Sequence, residues 1–223
     1  MTTDSSPSRL ADIPLSSLDG VAPDSPEVDI DLAAKHAEAM LTALGLPYDS
    51  EHNDRTPRRF VRALAEMTAG RLVDPGRHLE VTFPSVSDNP TMILVVNVRF
   101  VSLCEHHLLP WVGRASVAYL PATGARIVGL SKLARLVKEF AARPQVQERL
   151  GEQVVTTIER MLDTTGVACL IRGAHSCMNL RGVEAEDASM VSSHLLGRFR
   201  DDPAVRAEFI AAVGSANSLG GGG

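Results

Sequence analysis

The stretch Ile93-Leu94-Val95-Val96-Asn97-Val98-Arg99-Phe100-Val101-Ser102-Leu103-Cys104-Glu105-His106-His107 decides how this chain is read. From Ile93 to Phe100 it is apolar except at Asn97 and Arg99, the pattern of a mostly buried strand over 92–101. It ends in a thiol, a carboxylate and two imidazoles at four consecutive positions. Polar groups of this kind at a strand's end serve a site rather than a core. Pro110 and Gly113 then turn the chain, and Arg114–Leu120 reads as a returning strand. Val117 and Tyr119 share one of its faces, Ala118 and Leu120 the other. Two strands joined by a short turn imply an antiparallel pair.

A second polar cluster, His175-Ser176-Cys177, follows another apolar run, Gly166 to Arg172. The chain has three cysteines, Cys104, Cys169 and Cys177. Cys169 lies inside Val167-Ala168-Cys169-Leu170-Ile171 and reads as a small core hydrophobe. Cys104 and His107 have the short chelate spacing common at zinc sites, and Cys177 is the better third ligand. A Cys₂His set leaves a fourth position for water, as catalytic zinc sites do. His106 and His175 stand beside these ligands and suit proton transfer near pH 7. Spacing alone leaves a second reading open, in which Cys104 is a core residue and His107 a surface one.

Outward from these clusters the chain alternates helices and connections. Asp29 or Asp31 caps a helix running to about Leu44, with Ile30, Ala33, Ala37, Met40, Leu41 and Leu44 on one stripe, ended by Gly45 and Pro47. Thr56-Pro57 starts a second helix that buries Phe60, Leu64 and Met67. Residues 71–90 read as a loop with a short strand near Leu79–Phe83. Ser131 caps a helix with Leu133, Leu136, Val137, Phe140 and Ala141 inward. Pro144 breaks it and starts another, with Val146, Leu150, Val154, Ile158 and Met161 as its apolar stripe. Asp202-Pro203 starts a last helix through Val213, with Val205, Phe209, Ile210 and Val213 inward. Residues 1–27, rich in Ser, Pro and Asp, read as a disordered tail, and 215–223 as a flexible end. Between them lie a helical region (28–75) and a larger α+β domain (76–214).

Composition bounds the function. Hydrophobic residues make up 44% of the 223, enough for a real core, but aromatics only 4%, so the core is mainly Val, Leu, Ile and Ala. A net charge of −5 argues against nucleic-acid binding, and any polyanionic substrate must meet a local basic cluster. Three unevenly spaced cysteines suggest a reducing compartment, and a cytoplasmic protein is expected. No secretory signal or apolar run of membrane-spanning length is visible.

Several separate blocks resemble GTP cyclohydrolase I. They are Ser102–Pro110, Gly129-Leu130-Ser131-Lys132-Leu133-Ala134-Arg135, Arg143–Leu150, and His175-Ser176-Cys177-Met178 with Arg181-Gly182-Val183. Thr56-Pro57-Arg58-Arg59 is similar to an upstream element of that family. The resemblance runs from about Ile30 to Val213. It implies an α+β tunnelling fold, with an antiparallel sheet carrying two packed helices after an N-terminal helical part. It also implies a homodecamer with active sites between subunits. The implied reaction opens the imidazole ring of GTP, releases C8 as formate and forms 7,8-dihydroneopterin triphosphate, without a redox cofactor. On that resemblance Cys104, His107 and Cys177 are the zinc ligands, and His106 and His175 move protons. Glu148 holds the guanine edge with Gln147 beside it, and Ser131 lies near the ribose. Lys132, Arg135, Arg181 and Arg59 meet the triphosphate, Arg59 from a neighbouring subunit. Glu105 is expected to orient neighbours rather than to ligate metal.

The chain departs from the family pattern at Met190 and Ser192, where Thr is usual, at Asn97, where Asp is common, and at Trp111, often Phe. These positions bear on substrate handling and interface stability. They leave open a paralogue with altered substrate or product, serving a specialised deazapurine or pterin pathway. A zinc-stabilised scaffold without turnover is the rival from another class; Glu148, Ser131 and the basic set argue against it.

Overall fold

A computed structural model describes residues 27–46, 50–87 and 91–219. The expected N-terminal tail, the Pro47 helix stop and the last four glycines lie outside them.

Two helices come first, α1 (Ile30–Ala43) and α2 (Thr56–Met67), packed against each other. Asp29 caps α1 by accepting a hydrogen bond from the Leu32 amide at 2.9 Å. Pro57, in the first turn of α2, lacks the amide proton that would go unused there. An Asp31–Arg58 ion pair joins the two helices. Little of the pair is buried within the chain: Ala37 on α1 and Pro57 on α2. Phe60, expected inward, is exposed, as α2 buries only Pro57 within the chain. Two 3₁₀ turns, Ala69–Leu72 and Pro75–Leu79, follow where a loop was expected.

The strands are β1 (Thr82–Phe83), β2 (Ile93–Cys104), β3 (Pro110–Pro121), β4 (Ile127–Val128), β5 (Pro144–Gln145), β6 (Thr164–His175) and β7 (Met190–Gly197). β1 and β4 form a small ribbon; the main sheet runs β5-β2-β3-β6-β7. All its pairs are antiparallel except β5 with β2. The strands are longer than the apolar runs suggested, so Cys104 and His175 are themselves terminal strand residues. A bulge interrupts β2 between Val95 and Val98, and Asn97 takes φ 58° there. Asn tolerates that left-handed geometry better than most side chains.

Helices α3 (Leu130–Ala141) and α4 (Gln147–Met161) cover one face of the sheet. Their core joins Phe100, Trp111, Val117 and Tyr119 to Leu133, Leu136, Leu150 and Ile158. The short α5 (Ser176–Asn179) follows β6, and α6 (Arg198–Asp201) and α7 (Pro203–Leu219) follow β7. Phe199, Val205, Phe209 and Val213 of α6 and α7 pack on Ala118, Leu120 and Ala168. The two faces of β3 therefore feed two cores, Val117 and Tyr119 one, Ala118 and Leu120 the other.

Local details correct several expectations. Gly129, not Ser131, is the N-cap of α3, and Ser131 sits inside the first turn. Pro144 does not start α4. Pro144 and Gln145 pair with Leu103 and Cys104 as β5, and the helix begins at Gln147. Sheet pairing here overrides the helix-start preference of proline. Met161 and Ile210 are exposed at 37% and 54%, at the edges of their stripes. α7 extends to Leu219, past the expected stop at Val213.

Candidate active site

Three strand ends converge. β2 delivers Cys104, β3 begins at Pro110 and β6 ends at His175. Trp111 and His175 face each other in the β3–β6 register. Cys104 through Leu109 make a tight turn. The Cys104 amide donates to the Leu109 carbonyl at 2.8 Å, and the Leu108 amide to the Cys104 carbonyl at 2.8 Å. Leu108 adopts φ 52°, a strained value for a branched residue that reverses the chain within this turn. The turn folds His107 back over Cys104. On the other side the Ser176 hydroxyl donates to the Pro110 carbonyl, holding the start of α5, and with it Cys177, against β3.

The result is a compact donor set. Cys104 Sγ lies 3.6 Å from His107 Nδ1 and 3.7 Å from Cys177 Sγ. All three donor atoms fall within 4.8 Å of one another. A zinc tetrahedron with Zn–S near 2.3 Å has an S···S edge of about 3.8 Å, so this group fits a tetrahedral ion. Electrostatics point the same way. Burial, and after it the neighbouring Cys104 thiol, push the Cys177 thiol upward, with Arg181 opposing. Two thiols this close resist ionising together, and a cation between them removes that penalty. Cys169, within β6, is fully buried and raised to about 12 by desolvation, an inert core thiol as expected.

His175 is held from two sides. Its ring stacks on Trp111 at 4.3 Å and 12°. Its Nε2 lies 3.1 Å from Gln147 Oε1. The amide orientation of Gln147 is fixed by its other partners: the two hydrogens on Nε2 are shared among the carbonyls of Ile171 and Met190, both at 3.2 Å, and Ser192 Oγ at 3.1 Å. Carbonyls only accept, so the Gln147 nitrogen must face them and its oxygen must face His175. The imidazole then carries its proton on Nε2 and leaves Nδ1 free. Burial lowers the His175 pKa, and Glu148 opposes that shift, so the neutral ring is favoured near pH 7. Gly173 is required here, since a Cβ would lie 2.5 Å from Gln147 Oε1 and 2.8 Å from the Trp111 ring.

β5 sets the remaining approach. By pairing Cys104 with Gln145 it brings the first turn of α4, with Gln147 and Glu148, beside the cluster. Glu105 pairs with Arg149, whose Nε donates to Gln145 Oε1 at 3.0 Å. The carboxylate thus braces the turn and lies outside the Cys104–His107–Cys177 group. His106 is exposed next to His107, their rings 6.3 Å apart. Arg181 and Glu148 are also exposed.

Other candidates stand apart from the cluster. Lys132 and Arg135 lie in the first two turns of α3, and Arg135 lines a cavity of about 400 Å³ with Arg77, His78, Lys138 and Glu139. Arg59 is exposed on α2; the adjacent Arg58 is tied to Asp31, whereas Arg59 has no ion pair among the described residues. Sequence reasoning placed Gln147 beside the guanine edge. Gln147 is 1% exposed, and its amide is engaged within the chain. The support given to His175 by Trp111 and Ser192 was also missed, although both had stood out as departures from the family pattern.

Comparison with known proteins identifies the family. The sequence pattern described as GTP cyclohydrolase I matches residues 33–214. A GTP cyclohydrolase 1 of Rhodopirellula baltica is 43% identical over 192 residues, covering 86% of this chain and 82% of its own. One of Deinococcus radiodurans is 45% identical over 176 residues, covering 78% and 79%. Another, of Carboxydothermus hydrogenoformans, is 42% identical, covering 81% and 92%. With a match of this extent laid over the convergent Cys104, His107, Cys177 and His175, the chain belongs to the GTP cyclohydrolase I family.

Proposed function

We propose that the Cys104–His107–Cys177 group holds a zinc ion and is the centre at which this chain converts GTP and water into 7,8-dihydroneopterin triphosphate and formate. As a member of its family the chain is a hydrolase acting on GTP in pterin and folate synthesis. The observation that carries the reading is the donor set at 3.6 and 3.7 Å with His175 fixed beside it. When bound, zinc supplies the Lewis acidity that makes water nucleophilic near neutral pH.

The chain's own groups do the rest. Glu148 accepts adjacent N–H groups of the guanine edge, which a carboxylate matches well. It sits in the first turn of α4, where negative charge is favoured. His175 works through Nδ1, the nitrogen that Gln147 leaves free, and exchanges a proton with the purine or its ring-opened form. His106, exposed at the mouth, serves as the second proton carrier. Ser131 meets the ribose. Lys132, Arg135 and Arg181 neutralise the triphosphate, whose charge of about −4 needs cationic donors. Arg59 completes that set from a neighbouring subunit; its guanidinium, in no ion pair among the described residues, and the exposed α1–α2 pair support a homo-oligomer, read as a decamer. Gln147 positions His175 and does not touch guanine through its side chain. No described helix is long and apolar enough to cross a membrane, and we place the enzyme in the cytoplasm.

The test incubates zinc-loaded protein with GTP and follows formate and, after oxidation, pterin fluorescence. Both signals together are expected. Formate alone would limit the reaction to ring opening, and neither signal with zinc bound would overturn the reading.

A further inference from the structure

On the sheet face away from α3 and α4, three arginines lie side by side. Arg99 of β2 faces Arg114 of β3 in register, and Arg114 faces Arg172 of β6. All three are exposed. Directly opposite residues on neighbouring strands have their Cβ atoms about 5 Å apart, and like charges so placed repel. In a chain of net charge −5 such a row is an anomaly. Some exposed arginines elsewhere find carboxylates: Arg58 with Asp31, Arg149 with Glu105, Arg198 with Asp202. No such ion pair is made by Arg99, Arg114 or Arg172 among the described residues.

The row also encloses space. A recess of about 340 Å³ is bounded by the three arginines and Ser189, and the side-chain-free backbones of Gly113 and Gly173 contribute to its lining. Those glycines are kept small from the other face, where a Cβ would strike Phe100 or Trp111. Val112 and Ala174, on the same face as Arg114 and Arg172, complete the lining between the charged side chains. The recess shares none of its lining residues with the Cys–His cluster.

We propose that this recess is a binding site for a polyvalent phosphate, held across three strands by Arg99, Arg114 and Arg172. Guanidinium forks bind phosphate oxygens in pairs, and a chain of phosphates offers an oxygen pair to each of three neighbouring strands. Filling the site turns mutual repulsion into shared attraction. The inference is independent of the zinc reading.

The experiment titrates the full-length protein calorimetrically with inorganic tripolyphosphate at low salt. Two tripolyphosphates per chain are expected, one at the GTP site and one here. The triple variant R99Q/R114Q/R172Q should bind one per chain and retain formate release from GTP. Arg114→Lys, which keeps the charge but loses the fork, should weaken the second site roughly tenfold. Equal stoichiometry in wild type and triple variant would overturn the proposal. Thermal melting guards against a structural role. Relieved of repulsion, the triple variant should melt no lower than wild type. A lower melting temperature with loss of the oligomer would mean that the arginines meet carboxylates of a second copy, and would also overturn it. A parallel titration with a non-hydrolysable GTP analogue separates the two sources of such a phosphate chain. Two equivalents lost to one in the triple variant identify a nucleotide tail; one equivalent in both identifies free oligophosphate.

Discussion

The two ends of the five-stranded sheet are built from similar strands yet do opposite work. Near Leu120, Gly166 and Gly197 both faces are covered, by α3 and α4 on one side and by Phe199, Val205, Phe209 and Val213 on the other. Near Cys104, Pro110 and His175 the strands run out into tight turns, and polar groups meet without a second helical layer above them. β6 carries both situations on one strand. Cys169 in its middle is a fully buried, inert thiol, while Cys177, just past its end, is half-buried and next to another thiol. Position along the strand, rather than residue type, separates a core thiol from one that joins a donor group. Stability should therefore reside at one end and activity at the other, and substitutions at each end should separate the two.

Cys177→Ser is the sharpest way to break that division. It removes one of three donors from an otherwise exposed edge. Zinc content should fall to near zero and turnover by on the order of a thousandfold or more, the several kcal/mol expected of a metal centre. The thermal midpoint of the zinc-free protein should match that of zinc-free wild type. A large drop in that midpoint would mean that the site end also holds the fold together. Phe209→Ala is the mirror experiment. Phe209 is fully buried against Phe199, ring centroids 5.6 Å apart. Its truncation should cost about 3 kcal/mol in denaturant unfolding. Zinc stoichiometry and the KM for GTP of the remaining folded enzyme should stay at wild-type values.

The same contrast explains what could be read from the sequence. The covered end was legible because burial imposes period: the alternation of Val117 to Leu120 and the Leu133, Leu136, Val137, Phe140 stripe translate directly into faces. The donor set was legible because the metal-binding residue types are scarce, three cysteines in the chain, and two stood beside histidines at strand ends. Less local features escaped. Pro144 looked like a helix start because its pairing with Leu103, forty-one positions earlier in the chain, leaves no mark nearby. Phe60 and Ile210 fit their stripes, but whether a stripe is covered depends on which neighbour arrives. Gln147 was read through Glu148 beside it, whereas its partners, Ile171, His175, Met190 and Ser192, come from β6 and β7.

Gln147→Leu sharpens the comparison within the site end. The substitution keeps bulk but removes the acceptor for His175 Nε2 and leaves two backbone carbonyls without their donor. Supporting partners of this kind typically contribute 10- to 100-fold, and a kcat loss of about that size is expected. If Gln147 acts on His175 alone, KM for GTP should change little. A rise in KM with kcat preserved would return Gln147 to the guanine edge. Nitrogen-15 shifts of the His175 ring give a second readout, because the proton on Nε2 should no longer be fixed.

Ser192→Ala probes one step further out and should have the smallest effect. Ser192 Oγ is 3.1 Å from Gln147 Nε2, which already donates to two carbonyls, so the hydroxyl is one support among three. A single neutral hydrogen bond contributes about 1 kcal/mol net. The expected loss in kcat is therefore about fivefold, with zinc content unchanged. Ser192→Thr restores the hydroxyl in the form usual for the family and should recover activity at least to wild type. If Thr fails to do so while Ala is neutral, the hydroxyl is not holding Gln147, and the orientation of His175 rests on the Ile171 and Met190 carbonyls and on the Trp111 ring.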